Sequence, residues 1–339
     1  MMNSYYRRLN RKRFAIIVLA SIVMLLLLLA DLFTGSSNLS VSGAMKILLD
    51  GPSKESKYHF IIWSIRMPMT MTCLGVVASL ALAGEHMQTI LQNPLASPYT
   101  LGISSAAGFG AALSVVTGFP FLPVAWINTS LSALIFALGT SAMIFTICRN
   151  NTDSKTMILI GIVVTFLFSA LQSLMQYLAS QDQLSEIMHW MFGSLSKATE
   201  EGSFVCIACF LIIFLLSMRL TWQLTCLSTG EERSRSLGIN TGKLRKEIYL
   251  YSSLLTAVAV SYVGAIGFIG LVAPHLARSY VGDDQRFLLC LSSIMGAIIL
   301  LAASVIAKIL KPGEIIPVGI ITNIVGVAFL LYLLLRKKV

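Results

Sequence analysis

Charge is what this sequence has least of. Asp, Glu, Lys and Arg make up 12% of its 339 residues, about half of the roughly 25% usual in soluble domains. Acidic residues are the scarcer kind, 15 against 25 basic ones, and there are four histidines. His189 and His275 have no neighbours at metal-ligand spacing, and Asp283–Asp284 is an acidic pair without a second cluster. No nucleophile–base pair stands out, so an intramembrane enzyme has no support. The run Gly238–Leu244 superficially resembles a phosphate loop. It has one residue too few between its glycines, and Leu244 stands where the Mg²⁺-binding Ser or Thr belongs. The chain is therefore expected to be non-catalytic, unable to hydrolyse ATP by itself, and to need no cofactor and no metal.

What fills the space instead is apolar: 56% of the residues are hydrophobic. Phe14–Phe33 alone is about twenty nearly uninterrupted apolar positions, enough to cross a hydrocarbon core of roughly 30 Å. Ala30–Asp31–Leu32 offers no signal-peptide cleavage pattern, so this run reads as a retained first span. Similar runs recur without the ten-residue alternation of an outer-membrane barrel. They predict an all-α polytopic membrane protein, one transmembrane domain over 1–339, with ten spans near 14–33, 67–91, 101–117, 124–147, 156–177, 203–222, 248–264, 267–281, 287–307 and 316–335. The seventh and eighth are the least regular, because Gly264–Gly270 reads as a broken or re-entrant stretch. Trp63, Trp126, Trp190 and Trp222 fall at span ends or in external segments, as amphipathic rings do.

Ten spans put both termini on one side. On that count only Lys46, Lys54, Lys57, Arg66, Lys197, Lys308 and Lys311 lie on the far side, and the other basic residues gather with the N-terminus. Basic residues favour cytoplasmic loops, so both termini are expected in the cytoplasm. The same bias explains the net positive charge without a nucleic-acid partner.

Six cysteines lie in or near spans. Cys206 and Cys209 form a CxxC, but inside an apolar run with no His or acid beside it, so packing is the expected role. Gly102–Ala112 is rich in Gly and Ala and predicts close helix packing. Thr165, Ser169, Gln172, Ser173 and Gln176 share an arc about 100° wide on an otherwise apolar helix. Such a face either hydrogen-bonds to other helices or lines a water-filled path; path lining is favoured. Thr322 and Asn323 are a smaller candidate of the same kind. Glu85 and His86 resemble an intramembrane ionisable pair. Glu85 lies nineteen residues beyond Arg66, about 28 Å along a helix, which places it near the cytoplasmic interface and argues against a proton relay.

One segment breaks the apolar rule. Gly230–Glu247 carries eight charged residues in eighteen positions, too short for a domain. Glu231 and Glu232 suit a helix start and Gly238 a helix end, so a compact charged helix is expected, exposed to a soluble partner.

Five motifs occur in order: IRMP at Ile65–Pro68, QNPLASPYTLGISSAAGFG at Gln92–Gly110, GEERSRSLGIN at Gly230–Asn240, GAIGFIGLVAPHLAR at Gly264–Arg278 and PGEIIPVGIIT at Pro312–Thr322. From about Trp63 onward the chain resembles the FecCD-type permeases of bacterial ABC importers, which carry iron–siderophores, haem or vitamin B12. The resemblance implies a type II importer fold of ten spans in the cytoplasmic membrane. It also implies a path between two permease subunits (identical or homologous), two cytoplasmic ATPases, and an extracytoplasmic binding protein. Gly230, Glu231, Glu232, Arg235, Ser236, Leu237 and Gly238 then match the segment that grips the ATPase. Arg66 and Lys308 match basic residues that meet acidic groups on the binding protein. Met69 replaces a second arginine of the family, Lys308 stands where arginine occurs in some relatives, and Ala265 replaces a common proline. Iron–siderophore is the expected cargo, with B12 or haem as the alternative. A secondary transporter driven by an ion gradient is the competing class; it needs buried midplane charges, and the spans show few.

Overall fold

The computed structural model describes residues 2–35, 41–52, 56–118, 125–148, 154–196, 198–310 and 316–336. Lys54, Arg149, Lys197, Lys311, Lys337 and Lys338 lie outside the described residues, as do Pro312–Ile315 and the side chains of Trp126 and Arg336. All regular elements among the described residues are helical: α1 (Met2–Phe33), α2 (Val41–Asp50), α3 (Lys57–Phe60), α4 (Met67–Leu91), α5 (Ile103–Thr117), α6 (Ala125–Ile147), α7 (Ser154–Leu178) and α8 (Gln181–Met191). The second half continues with α9 (Glu200–Arg219), α10 (Thr221–Ser228), α11 (Glu231–Ser236), α12 (Thr241–Val263), α13 (Ile269–Val281), α14 (Gln285–Leu310) and α15 (Val318–Arg336). A π turn, Ile61–Arg66, joins α3 to α4, and a 3₁₀ turn, Pro98–Leu101, precedes α5.

Each of the ten expected spans contains a helix. Six are long and apolar enough to cross a membrane: Arg7–Phe33, Lys57–Leu91, Ile127–Ile147, Lys155–Leu178, Glu200–Arg219 and Gln285–Leu310. Ile103–Thr117 and Val318–Tyr332 are shorter apolar helices. The second span starts ten residues earlier than its apolar run, because the π turn lets α3 run on into α4. The sixth ends at Arg219, where Leu220 leaves helical geometry and α10 begins.

α4 is the axis of the bundle. From Pro68 to Leu91 almost every residue is buried, wrapped by α9, α12, α13 and α14. Lipid gives helices no hydrophobic reason to associate, so close backbone approach must hold them. A Cβ on Gly75 would meet the α9 backbone at 2.9 Å, and one on Gly296 of α14 would meet Ala81 at 2.7 Å. The tightest contact is Gly84 with Gly270, where a Cβ on Gly84 would overlap the Gly270 carbonyl oxygen at 1.7 Å. Pro274 stands four residues after Gly270 and has no N–H to offer that carbonyl, which is thereby left to face α4. Gly84→Val is expected to abolish folded protein in the membrane, since overpacking costs about 1–3 kcal/mol even where side chains can yield. Gly139→Ala on α6 has open space around it and is expected to be tolerated. Size-exclusion profiles of a fluorescent fusion compare the two; equal profiles would contradict the α4–α13 crossing.

α5, α6 and α7 form a second layer. Phe109, Phe136 and Phe168 meet edge-on or tilted with centroids 5.1 to 6.4 Å apart, and Ser132 donates to the Gly110 carbonyl at 2.6 Å. The stretch Gly102–Ala112 therefore packs as its composition predicts.

The irregular seventh and eighth spans are a real break. Gly264 has φ +77° and ψ −163°, a conformation open to glycine alone, and Phe268 enters α13 at φ +66°. α13 has 13 residues, about 20 Å of helix. Between the helices the Ile266 N–H donates to the Tyr99 hydroxyl at 2.7 Å. The Ser194 N–H donates to the Val263 carbonyl at 2.9 Å.

Candidate coupling loop and transport path

Two ends of the bundle can be told apart by their ion pairs. At the first, Arg13 of α1 meets Asp284, ahead of α14, at 3.1 Å. At the second, Asp31 of α1 meets Lys308 of α14 at 2.6 Å.

The charged island lies at the Arg13 end. α10 and α11 are two short helices in line after α9, separated by Thr229 and Gly230. Glu231 and Glu232 occupy the first turn of α11 and Arg233 and Arg235 its last, an arrangement that suits the helix dipole. Glu231 pairs with Arg235 at 2.6 Å and with Arg245 of α12 at 2.8 Å, which fixes α11 against the next helix. The Gly238 N–H donates to the Arg235 carbonyl and the Ile239 N–H to that of Ser234. Those two bonds are the Schellman pattern of a helix end, and Gly238 takes the positive φ of +79° it requires. Leu237 is lifted on this cap, 62% exposed. Glu232, Arg235, Ser236 and Gly238 are exposed with it, while Ser234 is buried and donates to the Gly230 carbonyl. Nearby, burial raises the Asp284 carboxyl, but Arg286 and Arg13 outweigh it and hold it below the ordinary value.

Arg66 and Lys308 lie at the Asp31 end, and both are turned inward. The Arg66 guanidinium donates to the Leu32 and Phe33 carbonyls at 2.9 and 3.2 Å, placing a cation on the C-terminus of α1. Lys308 donates to the Asp31 carboxylate and also to its carbonyl at 2.8 Å. Asp31 is fully buried and accepts from Ser304 at 2.6 Å and Thr70 at 2.5 Å. The sequence signal for this anchor was present and unused: an acid inside a twenty-residue apolar run needs a partner.

The polar arc of α7 is split by its packing. Gln172, at one edge, is buried against Gly108 of α5, and Thr165 is half-buried near Gly102. Gln176 donates to the Met191 sulfur of α8 at 3.0 Å. Ser169 and Ser173, at the other edge, are exposed. On α15, Thr322 is buried and bonds to the Gly319 carbonyl, while Asn323 is exposed beside Gly267. The arc thus joins α7 to α5 on one side and leaves Ser169 and Ser173 exposed on the other, where the Ser173 hydroxyl donates to the Ser169 carbonyl at 3.0 Å.

Glu85 and His86 separate. Glu85 sits toward the Arg13 end and is paired with Arg278 at 2.9 Å; His86 is buried with no partner on either ring nitrogen among the described residues. All six cysteines are unpaired, and Cys206 packs on Gly75.

Sequence reading missed α8. Its start is a capping box, with Ser180 and Gln183 exchanging bonds, a signal that Ser180-x-x-Gln183 carries. Beside α8, at the Asp31 end, opens a cavity of about 420 Å³ lined by Asp182, Glu186, His189, Ser194 and Tyr262. A second, of about 440 Å³, lies between the π turn and the start of α9.

These features have counterparts in known proteins. The profile of the FecCD transport family matches residues 22–336. The hemin transport system permease of Yersinia pestis is 34% identical, over 93% of this chain and 95% of its own length. The vitamin B12 import system permease of Salmonella arizonae is 32% identical, over 92% of each. A solved metal-chelate-type ABC transporter in an inward-facing conformation superposes with a TM-score of 0.83 at 30% identity, covering 96% of this chain and 99% of the other. With a helix in each of the ten expected spans, a charged loop at one end and the family profile matched over residues 22–336, the chain belongs to the FecCD transport family and is an ABC importer permease.

Proposed function

We propose that this permease carries iron–siderophore complexes inward through the cytoplasmic membrane of a bacterial cell, powered by two ATPases bound at its Arg13 end. That end faces the cytoplasm in this reading, with both termini. The chain itself is non-catalytic. The observation that carries the proposal is Leu237, an exposed leucine raised on a six-residue helix that salt bridges brace against α12. An apolar knob ringed by charges is the chemistry of a peg in a groove on a soluble protein. A second permease, identical or homologous, completes the path, to which Ser169, Ser173 and Asn323 contribute exposed polar groups.

At the Asp31 end a binding protein delivers the cargo. Arg66 and Lys308 organise that face from within, and acidic groups on the binding protein compete with Asp31 for the Lys308 ammonium. The two relatives named above handle hemin and vitamin B12 by name, and the similar structure is of metal-chelate type, which supports a bulky metal chelate as the cargo.

Uptake by a deletion strain complemented with this chain tests the reading. ⁵⁵Fe-ferrichrome is expected to accumulate, whereas haemin and cyanocobalamin are not. Accumulation should stop on ATP depletion with the proton gradient intact. Uptake that survives depletion points to a secondary transporter, and exclusive uptake of haemin or cyanocobalamin replaces the cargo.

A further inference from the structure

The helices around the charged loop converge on one buried carboxylate. Glu85 of α4 is fully buried. Its oxygens accept from Arg278 Nη2 at 3.0 and 2.9 Å, Gln285 Nε2 at 2.9 Å and Thr89 Oγ1 at 2.7 Å. Arg278 also donates to Gln88 at 3.0 Å and pairs with Asp283 at 2.9 Å. α10 joins through the backbone, because the Gln285 N–H donates to Thr225 Oγ1 at 3.1 Å and Gln92 Nε2 donates to the Leu227 carbonyl at 3.1 Å. One charge thus holds α4, α13 and α14 and, through Gln285, the helix from which α11 projects.

Stability alone explains this knot poorly. Desolvation offsets most of the attraction in a buried ion pair, and apolar residues of equal volume often hold helices as well or better. Directional, charge-assisted bonds add fixed geometry. From Arg278, α13 runs about 14 Å back to Ile269 and so to the Gly264 break, where backbone meets backbone. A Cβ on Gly193, just past α8, would fall 2.4 Å from the Ala265 oxygen, and one on Gly319 of α15 would lie 2.1 Å from the Phe192 oxygen. A rigid line therefore leads from α10 to α8 and α15.

We infer that Glu85 is a positioning residue for coupling: with Arg278, Gln285 and Thr225 it makes the Arg13-end segments of α4, α10, α13 and α14 move as one body. Displacement of Leu237 then reaches α8 and α15 through α13. This rests on the coupling role proposed above for Gly230–Gly238.

The test uses the assembled permease, ATPase and binding protein in proteoliposomes. Spin labels replace Trp222 on α10 and Tyr280 on α13, both exposed, with Cys209 and Cys290 changed to Ser. With the knot intact, the label distance stays narrow and does not change on adding MgATP and vanadate. Glu85→Gln removes the charge at constant volume. Thr225→Val removes the acceptor of the Gln285 N–H, along with the hydroxyl's own bond to the Thr221 carbonyl inside α10, and leaves Glu85 in place, which covers the case where Glu85→Gln fails to fold. Each variant is expected to broaden or shift the distance when nucleotide is added. Each should also lower uptake per ATP hydrolysed by about twofold to thirtyfold, read with whichever of ferrichrome, haemin or cyanocobalamin the unaltered transporter accumulates. Variants that keep both a narrow distance and full uptake per ATP overturn the inference, as does a distance that already changes with nucleotide in the unaltered protein. If Leu237→Asp uncouples and the knot variants do not, this inference alone falls. If Leu237→Asp leaves coupling intact, the loop assignment falls and takes this one with it.

Discussion

Leu237→Asp is expected to lower uptake at least about tenfold while ATP hydrolysis by the assembled transporter continues, since tenfold corresponds to roughly 1.4 kcal/mol. Seating a leucine in an apolar groove contributes about 1.5–3 kcal/mol, and a carboxylate in its place loses that and adds a desolvation penalty. Leu237 is 62% exposed, so the chain's own fold should not register the change. Gly238→Val acts differently. Open space surrounds the glycine, so no clash follows, but a β-branched residue at φ +79° is strained by about 1–3 kcal/mol. The strain should undo the Schellman cap and misaim the leucine, giving a smaller loss of the same kind. Uptake per ATP hydrolysed, at matched membrane abundance, is the measurement. A ratio equal to that of the unaltered protein in both variants would remove the loop from the mechanism.

At the opposite end, Asp31→Ala is expected to destabilise the folded protein by about 3–5 kcal/mol, because removing one partner leaves the other charge buried and unpaired. The Lys308 side chain is 7% exposed, and the Ser304 and Thr70 hydroxyls lose their acceptor as well. Asp31→Leu combined with Lys308→Met removes both charges and should recover most of the loss. Thermal unfolding midpoints in detergent micelles order the three proteins; an Asp31→Ala protein as stable as the original would contradict the anchor. The double variant also separates two roles of Lys308. If the ammonium meets the binding protein, the double variant folds but binds that protein more weakly. If it transports normally, Lys308 serves only to anchor α1.

The sequence made visible what depends on local chemistry. The α11 helix was legible because its acids, its bases and Gly238 are adjacent in the chain, and the Gly264 break because glycine marks it. The depth of Glu85 followed from counting residues along a helix. Partners were not legible: Asp31 and Lys308 are 277 residues apart, and Glu85 and Arg278 are 193 apart. For that reason Arg66 and Lys308 read as outward-facing cations, whereas packing turns them toward the end of α1. The polar arc of α7 had the right geometry, but periodicity cannot say where α5 ends and open surface begins. Gln172 and Ser173 are consecutive yet lie on opposite sides of that boundary. α8 escaped because its polar residues, Asp182, Ser185 and Glu186 among them, outweigh a short apolar face.

The short α13 has one more consequence. A 20 Å helix leaves about a third of a 30 Å hydrocarbon layer to be crossed by irregular chain. Peptide groups there have no helical partner, and lipid tails cannot supply one. The Tyr99 hydroxyl holds the Ile266 amide, and the turn after α8 holds the Val263 carbonyl. A phenol and a turn thus satisfy peptide groups that lipid tails cannot, and Tyr99→Phe would leave the Ile266 amide without its acceptor.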